Sequence, residues 1–372
     1  MNNIQILTGI GQSIWLDYIS RSLITSGELQ SLLEAGVRGM TSNPTIFEKA
    51  ITGSLDYDES IKRLVQRGKS IEEIYSALTL EDIQQAADLM RPIYNQSEGG
   101  DGYVSLEVNP KLAHDTQSTL EEAQSLWELV DRPNLMIKIP GTREGIPATT
   151  QAIAAGINVN VTLIFSIDRY IEVLDAFMIG IEKRLSNGLS IEHIASVASF
   201  FISRIDSKVD NRLAELIKNE NTDAGRAEEL QGRAAIANAR LSYSHFLQTL
   251  ESERYKGLLS KGAHIQRPLW ASTSTKNPSY PDLKYVQELI APNTVNTLPL
   301  ATLLAFLDHG DPGITIKQQL EHENWVLESL AELGIDMPAI TNELEEEGVA
   351  AFAKSFESLL RSIENKHHVL LS

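Results

Sequence analysis

Short apolar segments rich in β-branched residues alternate along this chain with longer stretches in which apolar positions return every three or four residues. That alternation of strand-like and helical periods is the pattern of repeated βα units around a parallel sheet. Eight strand-like segments stand out. SIWLDYI from Ser13, VRGMTSN from Val37, YVSLEV from Tyr103 and NLMIKIP from Asn134 fill the first half; INVNVTLIF from Ile157, IASVASFFIS from Ile194, RPLWAST from Arg267 and NTVNTLP from Asn293 fill the second. Eight such strands fit a closed (β/α)8 barrel of the TIM type better than an open sheet. Amphipathic segments such as GELQSLLEAG (Gly27 to Gly36) and AAIANARLSYSHFLQTL (Ala234 to Leu250) supply the outer ring.

Two intervals are too long for plain loops, so additional helices are expected across residues 51–100 and 207–261. The stretch from Asn342 to Lys366 reads as one closing helix. Length alone, 372 residues, admits either one barrel with insertions or two compact domains. The absence of any internal repeat, low-complexity run or Gly/Ser linker favours a single domain over residues 1–372.

Composition changes this picture in three ways. Hydrophobic residues at 42% and charged residues at 22% place the chain among ordinary globular sequences and against disorder. The 32 Lys and Arg against 50 Asp and Glu, a formal charge of -18, oppose nucleic-acid or anionic-membrane binding and require that any anionic ligand be met by locally concentrated cations. The lack of cysteine removes disulfides, thiolate metal sites and thiol nucleophiles. The opening MNNIQILTGIGQSIWLDYIS has neither a basic n-region nor an apolar h-region, and no stretch approaches a membrane span, so a cytoplasmic location is expected.

The chemistry centres on Lys138, set among Leu135, Met136, Ile137 and Ile139 at a strand end followed by Pro140, Gly141 and Thr142. Desolvation in a barrel interior favours the neutral amine needed to attack a ketone. The bland alternative is an edge-strand lysine reaching solvent. Polar residues at the ends of other strands converge on the same mouth: Asp17, Asn43, Glu107, Asn160, Thr162 and Ser199. Schiff-base chemistry needs a carboxylate to shuttle protons during dehydration and a base to trigger bond cleavage, and Glu107 and Asp17 supply two. The Asn and Thr side chains suit a polyol. Arg204 in FISRID and Lys276 in WASTSTKN, with Ser272 and Ser274, offer a phosphate pocket. The competing readings are an Arg204–Asp206 ion pair and a solvated loop lysine at Lys276.

Other motifs carry less. GIGQSI from Gly9 lacks the third glycine of a dinucleotide fingerprint. HEN at His322 lacks the second histidine of a zincin helix, and His367 and His368 lie at the tail, so no metal is assigned.

The segments GQSIWLDYISR, GMTSNPTIF, VSLEVNP, NLMIKIPGTREGIPA, INVNVTLIFS, SVASFFISRID and PLWASTSTKNP, in this order from Gly11 to about Pro299, make the chain resemble transaldolases, most closely their longer bacterial form. The resemblance implies a circularly permuted class I aldolase-type barrel without metal or organic cofactor. It implies transfer of a dihydroxyacetone unit from sedoheptulose 7-phosphate or fructose 6-phosphate to glyceraldehyde 3-phosphate or erythrose 4-phosphate in the pentose phosphate pathway. By resemblance Lys138 is the Schiff-base lysine, Asp17 the base at the C4 hydroxyl, and Glu107 the acid/base acting through a water held by Thr162. Asn43 and Asn160 then donate to substrate hydroxyls, Ser199 touches the bound unit and Arg204 binds phosphate. The short form carries an arginine as second phosphate ligand, where this chain's nearest cation is Lys276, with Ser274 beside it; a lysine is a point charge and not a fork. Two rivals stand: a fructose 6-phosphate aldolase, against which Glu107 and the chain length speak, and a non-catalytic sugar-phosphate-binding barrel. Monomer and homodimer both remain open.

Overall fold

A computed structural model describes residues 1–218, 223–316 and 320–371, with side chains to 367. Eight parallel strands close into a barrel in sequence order: β1 Gln12–Leu16, β2 Gly39–Met40, β3 Tyr103–Glu107, β4 Leu135–Pro140, β5 Val159–Ile164, β6 Ser196–Phe201, β7 Arg267–Ala271 and β8 Thr294–Leu298. Seven fall within the segments that the hydrophobic pattern picks out, and β1 begins one residue before its segment, at Gln12. Closure is made by β1 against β8, in register from Gln12↔Thr294 to Leu16↔Leu298.

β2 is only two residues long for a local reason. A Cβ at Gly39 would lie 2.4 Å from the indole of Trp15, so that ring occupies the space of the missing side chain. Within three residues of the strand, Asn43 caps the helix Pro44–Thr52 by accepting from the Ile46 amide at 3.0 Å. β5 carries a register shift between Val161 and Ile164, with Leu163 at φ 60°. The bulge adds a residue at the mouth end of the strand, next to Thr162.

The interval 51–100 holds the helices Asp58–Gln66 and Ile71–Gln96, the second opened by a capping box at Ser70 and Glu73. The interval 207–261 continues the helix Ser203–Lys218 and adds Ala224–Leu230, Ala234–Glu251 and Glu253–Leu259, while residues 219–222 lie outside the described residues. The expected closing helix 342–366 is longer, Met337–Leu371. Asp336 starts it by accepting from the Ala339 amide at 3.0 Å, and Pro338 is tolerated in a first turn that needs no amide. His367 therefore sits in a helix and not in a loose tail; the side chain of His368 lies outside the described residues. No described helix is long and apolar enough to cross a membrane.

The segment GIGQSI ends a helix, Asn3–Ile10, and runs into β1, the reverse of the strand-to-helix order that a dinucleotide fingerprint requires. Gly11 takes the left-handed C-cap conformation at φ 97°. At the floor of the barrel, Arg267 pairs with Asp101 at 2.9 Å, and Asp101 also accepts from Ser13 and Trp15. The polar interior is thus tied off at the strands' N-terminal ends and left open at their C-terminal ends.

The closing helix is tethered beside that open end. Lys111 pairs with Glu357 at 2.8 Å, Lys208 with Glu343 at 2.8 Å and Glu347 at 2.5 Å, and Lys366 with Asp58 at 2.5 Å. A Cβ at Gly348 would meet the Leu163 side chain at 2.8 Å, so glycine lets the helix settle onto the bulge of β5. This seating brings Phe352 to the barrel mouth.

Candidate active site

Residues paired across neighbouring parallel strands share a face, and here the register runs Glu107 on β3, Lys138 on β4, Asn160 on β5. Lys138 is 4% exposed and Glu107 6%. The lysine belongs to a strand with partners on both sides in a closed barrel, so the edge-strand alternative does not hold. Its Nζ donates to Glu107 Oε2 at 3.1 Å and to the Ser42 carbonyl at 3.3 Å, and lies 5.5 Å from the centroid of the Phe352 ring. A buried amine that meets a single carboxylate oxygen, a carbonyl and an aromatic face is held in place with donor capacity to spare.

Burial pushes the Glu107 carboxyl above its usual range, an effect that the charge and hydrogen bond of Lys138 oppose and the charge of Asp17 adds to. Its second oxygen, Oε1, has no partner among the described residues, nor does the buried Thr162 Oγ1 on β5. Asp17 follows β1 and accepts from Thr41 Oγ1 at 2.7 Å, which is also 2.7 Å from Thr297 Oγ1. Burial again pushes this carboxyl upward, opposed first by Lys138 and then by the Thr41 hydrogen bond, with Lys276 and Arg204 contributing from farther away. The two carboxylates therefore both favour proton uptake more than exposed ones do, on either side of one amine's field.

Above these groups opens a cavity of about 500 Å³. Asp17, Asn43, Lys138, Thr162, Ser199, Arg204, Ser272, Ser274 and Lys276 all line it, so nine of the residues singled out from the sequence meet in one place. Glu107 and Asn160 are not among the lining residues. Asn160 is fully buried, accepting from Ser199 Oγ at 2.6 Å and donating to Ser105 Oγ at 3.1 Å, which makes it the support of Ser199 as the structure stands.

The cationic end of the cavity is built by the segments that follow β6 and β7. Arg204, at the start of the helix after β6, stacks over the Phe201 ring at 5.4 Å; burial pulls its pKa down. The competing ion pair with Asp206 is not made, because Asp206 accepts instead from the Ala235 amide and the Tyr285 hydroxyl. Lys276 stands at the rim and donates to Ser274 Oγ at 2.9 Å; partial desolvation of its ammonium, then repulsion from Arg204 and Lys49, lowers its pKa. Ser272 sits at φ 55°, and its carbonyl accepts from the Ser203 amide at 3.0 Å, which turns the β7 loop back over the end of β6.

Several lining residues are absent from the sequence-based set: Tyr18, Thr41, Lys49, Phe201, Thr297 and Phe352. Thr41 and Lys49 flank the Asn43 segment, and helical spacing from Asn43 through Ile46 to Lys49 was the available signal. Nothing in the sequence of the closing helix marks Phe352. Among the described residues, no group of three or more His, Asp or Glu side chains is arranged to hold a metal ion.

A cavity with a buried amine at its base and cations at its rim is matched by what the chain is similar to. The family model described as Transaldolase/Fructose-6-phosphate aldolase matches residues 14–363. The chain is 49% identical over 367 residues to a transaldolase of Saccharopolyspora erythraea, with 98% of each chain covered. It is 51% identical over 362 residues to a transaldolase of Parafrankia sp., covering 97% of this chain and 96% of the relative. With a protein of Nostoc sp. called Transaldolase 2 the identity is 46% over 377 residues, covering 100% and 99%.

Proposed function

The chain belongs to the transaldolase/fructose-6-phosphate aldolase family, as a transaldolase, and from that premise we propose that it moves a dihydroxyacetone unit between sugar phosphates through an imine on Lys138. The donors are sedoheptulose 7-phosphate or fructose 6-phosphate; the acceptors are glyceraldehyde 3-phosphate or erythrose 4-phosphate. The observation that carries the reading is the Lys138–Glu107 contact of 3.1 Å at the base of a cavity whose other end is cationic.

In this mechanism the Lys138 amine adds to the ketose C2 carbonyl to give a carbinolamine. Glu107, through a water held against Thr162, protonates the departing hydroxyl, so that one water leaves and an iminium forms. The unpartnered Glu107 Oε1 and Thr162 Oγ1 are the acceptor and hydroxyl that such a water needs. Asp17 removes the C4 hydroxyl proton; the C3–C4 bond breaks toward the iminium, an aldose phosphate departs, and an enamine of dihydroxyacetone remains on Lys138. The enamine carbon attacks the acceptor aldehyde, Asp17 returns its proton to the new hydroxyl, and hydrolysis of the imine releases the new ketose. Asn43 and Ser199 hold substrate hydroxyls, with Asn160 acting on Ser199, while Arg204, Ser274 and Lys276 hold the phosphate. The chain works as one domain in the cytoplasm, as a monomer or homodimer.

Incubation with fructose 6-phosphate, reduction with borohydride and peptide mass spectrometry test this directly. A dihydroxyacetone-sized adduct is expected on the Lys138 peptide and not in Lys138→Ala. A wild-type protein left unmodified replaces the enzyme by a non-catalytic sugar-phosphate-binding barrel. Cleavage that proceeds as fast without an acceptor as with one moves the activity to the aldolase side of the family.

A further inference from the structure

We infer that Lys49 is a third cationic contact to phosphate in this cavity and a determinant of its preference for phosphorylated sugars, an inference that rests on the reading given above. Lys49 lies in the last turn of the helix Pro44–Thr52. Asn43, Ile46 and Lys49 are spaced three residues apart, and all three line the cavity, so one face of this helix forms its wall. Arg204 enters from the loop after β6 and Lys276 from the loop after β7, so Lys49 adds a cation from the β2 side.

The charge pattern points the same way. The chain carries 50 acidic against 32 basic residues, and Lys111, Lys208 and Lys366, which tie the closing helix to its neighbours, are each paired with a carboxylate. The cavity reverses this balance: Lys49, Lys138, Arg204 and Lys276 line it with Asp17 as the one lining carboxylate among the described residues. Lys49, Arg204 and Lys276 make no ion pair among those residues. The three charges also feel one another, since Lys49 and Arg204 both disfavour the protonated form of Lys276. Like charges gathered without ion-pair partners repel one another and draw an anion into the space between them. A sugar phosphate carries close to two negative charges and three acceptor oxygens, which matches one guanidinium fork and two ammonium point charges.

Ile46 and Phe201 also line the cavity and give the sugar chain apolar flanks, while the phosphate end of the ligand and its carbonyl end are met by different side chains. A residue acting only at the phosphate end changes binding of phosphorylated ligands and leaves the chemistry at Lys138 alone. That separation supplies the test.

The test measures KM for fructose 6-phosphate, the inhibition constant for inorganic phosphate, and borohydride trapping of free dihydroxyacetone, in wild type, Lys49→Gln and Lys49→Arg. Lys49→Gln is expected to raise both the KM and the phosphate inhibition constant about ten- to a hundredfold, the scale of one charge-assisted hydrogen bond to a phosphate. Trapping of dihydroxyacetone, which has no phosphate, stays at the wild-type rate, and Lys49→Arg restores both constants to within about threefold. A Lys49→Gln protein whose KM and inhibition constant match wild type overturns the inference while leaving the enzyme reading intact. A wild type that traps neither ligand defeats the underlying reading and the inference with it.

Discussion

Two groups of buried carboxylates in this barrel are pushed above their ordinary range by the same cause, and they differ in how fully their oxygens are used. In the helix Ser203–Lys218, Asp206 accepts from the Ala235 amide at 2.7 Å and the Tyr285 hydroxyl at 2.9 Å, and one turn on Asp210 accepts from the Gly232 amide and the Tyr280 hydroxyl, each at 2.7 Å. Every oxygen has a donor. At the barrel mouth, Glu107 gives one oxygen to Lys138, and the other has no partner among the described residues. The first group pins residues 232–235 of the long insertion, and two tyrosines that follow β7, to the helix that begins beside Arg204. The second faces an amine beneath a cavity. A raised pKa is common to both groups, so it does not by itself mark a reacting carboxylate; spare hydrogen-bonding capacity beside an amine that lines the cavity does.

The comparison is broken most sharply by exchanging the two kinds of carboxylate for neutral isosteres. Glu107→Gln keeps the shape and a hydrogen-bonding group beside Lys138 but cannot shuttle a proton. Its transfer rate is expected to fall about 10²- to 10⁴-fold, the usual contribution of a positioned acid/base, while the urea midpoint stays near wild type. A stopped-rate assay of transfer together with a denaturation curve checks both halves. Transfer within about tenfold of wild type would place the proton shuttle elsewhere.

Asp206→Ala is expected to do the reverse. Two buried donors, the Ala235 amide and the Tyr285 hydroxyl, lose their acceptor, which costs about 2–5 kcal/mol of unfolding free energy. The folded fraction keeps a kcat within about threefold, because the hydrogen bonds of Asp206 go to Ala235 and Tyr285 and not to Lys138 or a residue lining the cavity. Urea unfolding at constant m and a kcat normalised to folded protein separate the effects. A large loss in kcat with intact stability would show that the brace takes part in the chemistry.

This contrast also explains how much could be read from the sequence. The eight strands are legible because a parallel barrel strand is buried on both faces and leaves an unbroken apolar run, and polar residues within such runs, Glu107, Lys138, Asn160 and Thr162, stand out against it. The start of the closing helix was misplaced by five residues, since Asp336 and Pro338 look like a loop until the cap is seen. Lys49 and Phe352 lie on helices, where a basic or aromatic residue among amphipathic positions carries no mark of its own; only tertiary placement turns their faces to the mouth. The buried aspartates were equally hidden. Asp206 next to Arg204 in sequence suggests an ion pair, and only the insertion folding back over the helix supplies the amide and hydroxyl that take its place.

The finest test of the comparison is electrostatic and uses Asp206→Asn. Burial raises the Asp206 carboxyl to about 6, whereas in the unfolded chain it titrates near 3.8. Between those values the folded protein binds more protons at this group than the unfolded one. Stability contributed by Asp206 is therefore full below pH 3.8, falls as pH rises, and is lost above about 6. Asparagine retains an acceptor for the Ala235 amide and has nothing to titrate, so its stability relative to wild type should rise between pH 4 and 6 by on the order of 2 kcal/mol. Glu107, Asp17 and Asp210 are raised as well and remain in both proteins, so the difference between the two urea-derived pH curves isolates Asp206. A flat difference would mean that the amide and hydroxyl hold the ionised carboxylate as well as water does; hydrogen-bond completeness, and not burial, would then set the charge state of this brace, and the gap between the two groups of carboxylates would be wider than their shared upward shift implies.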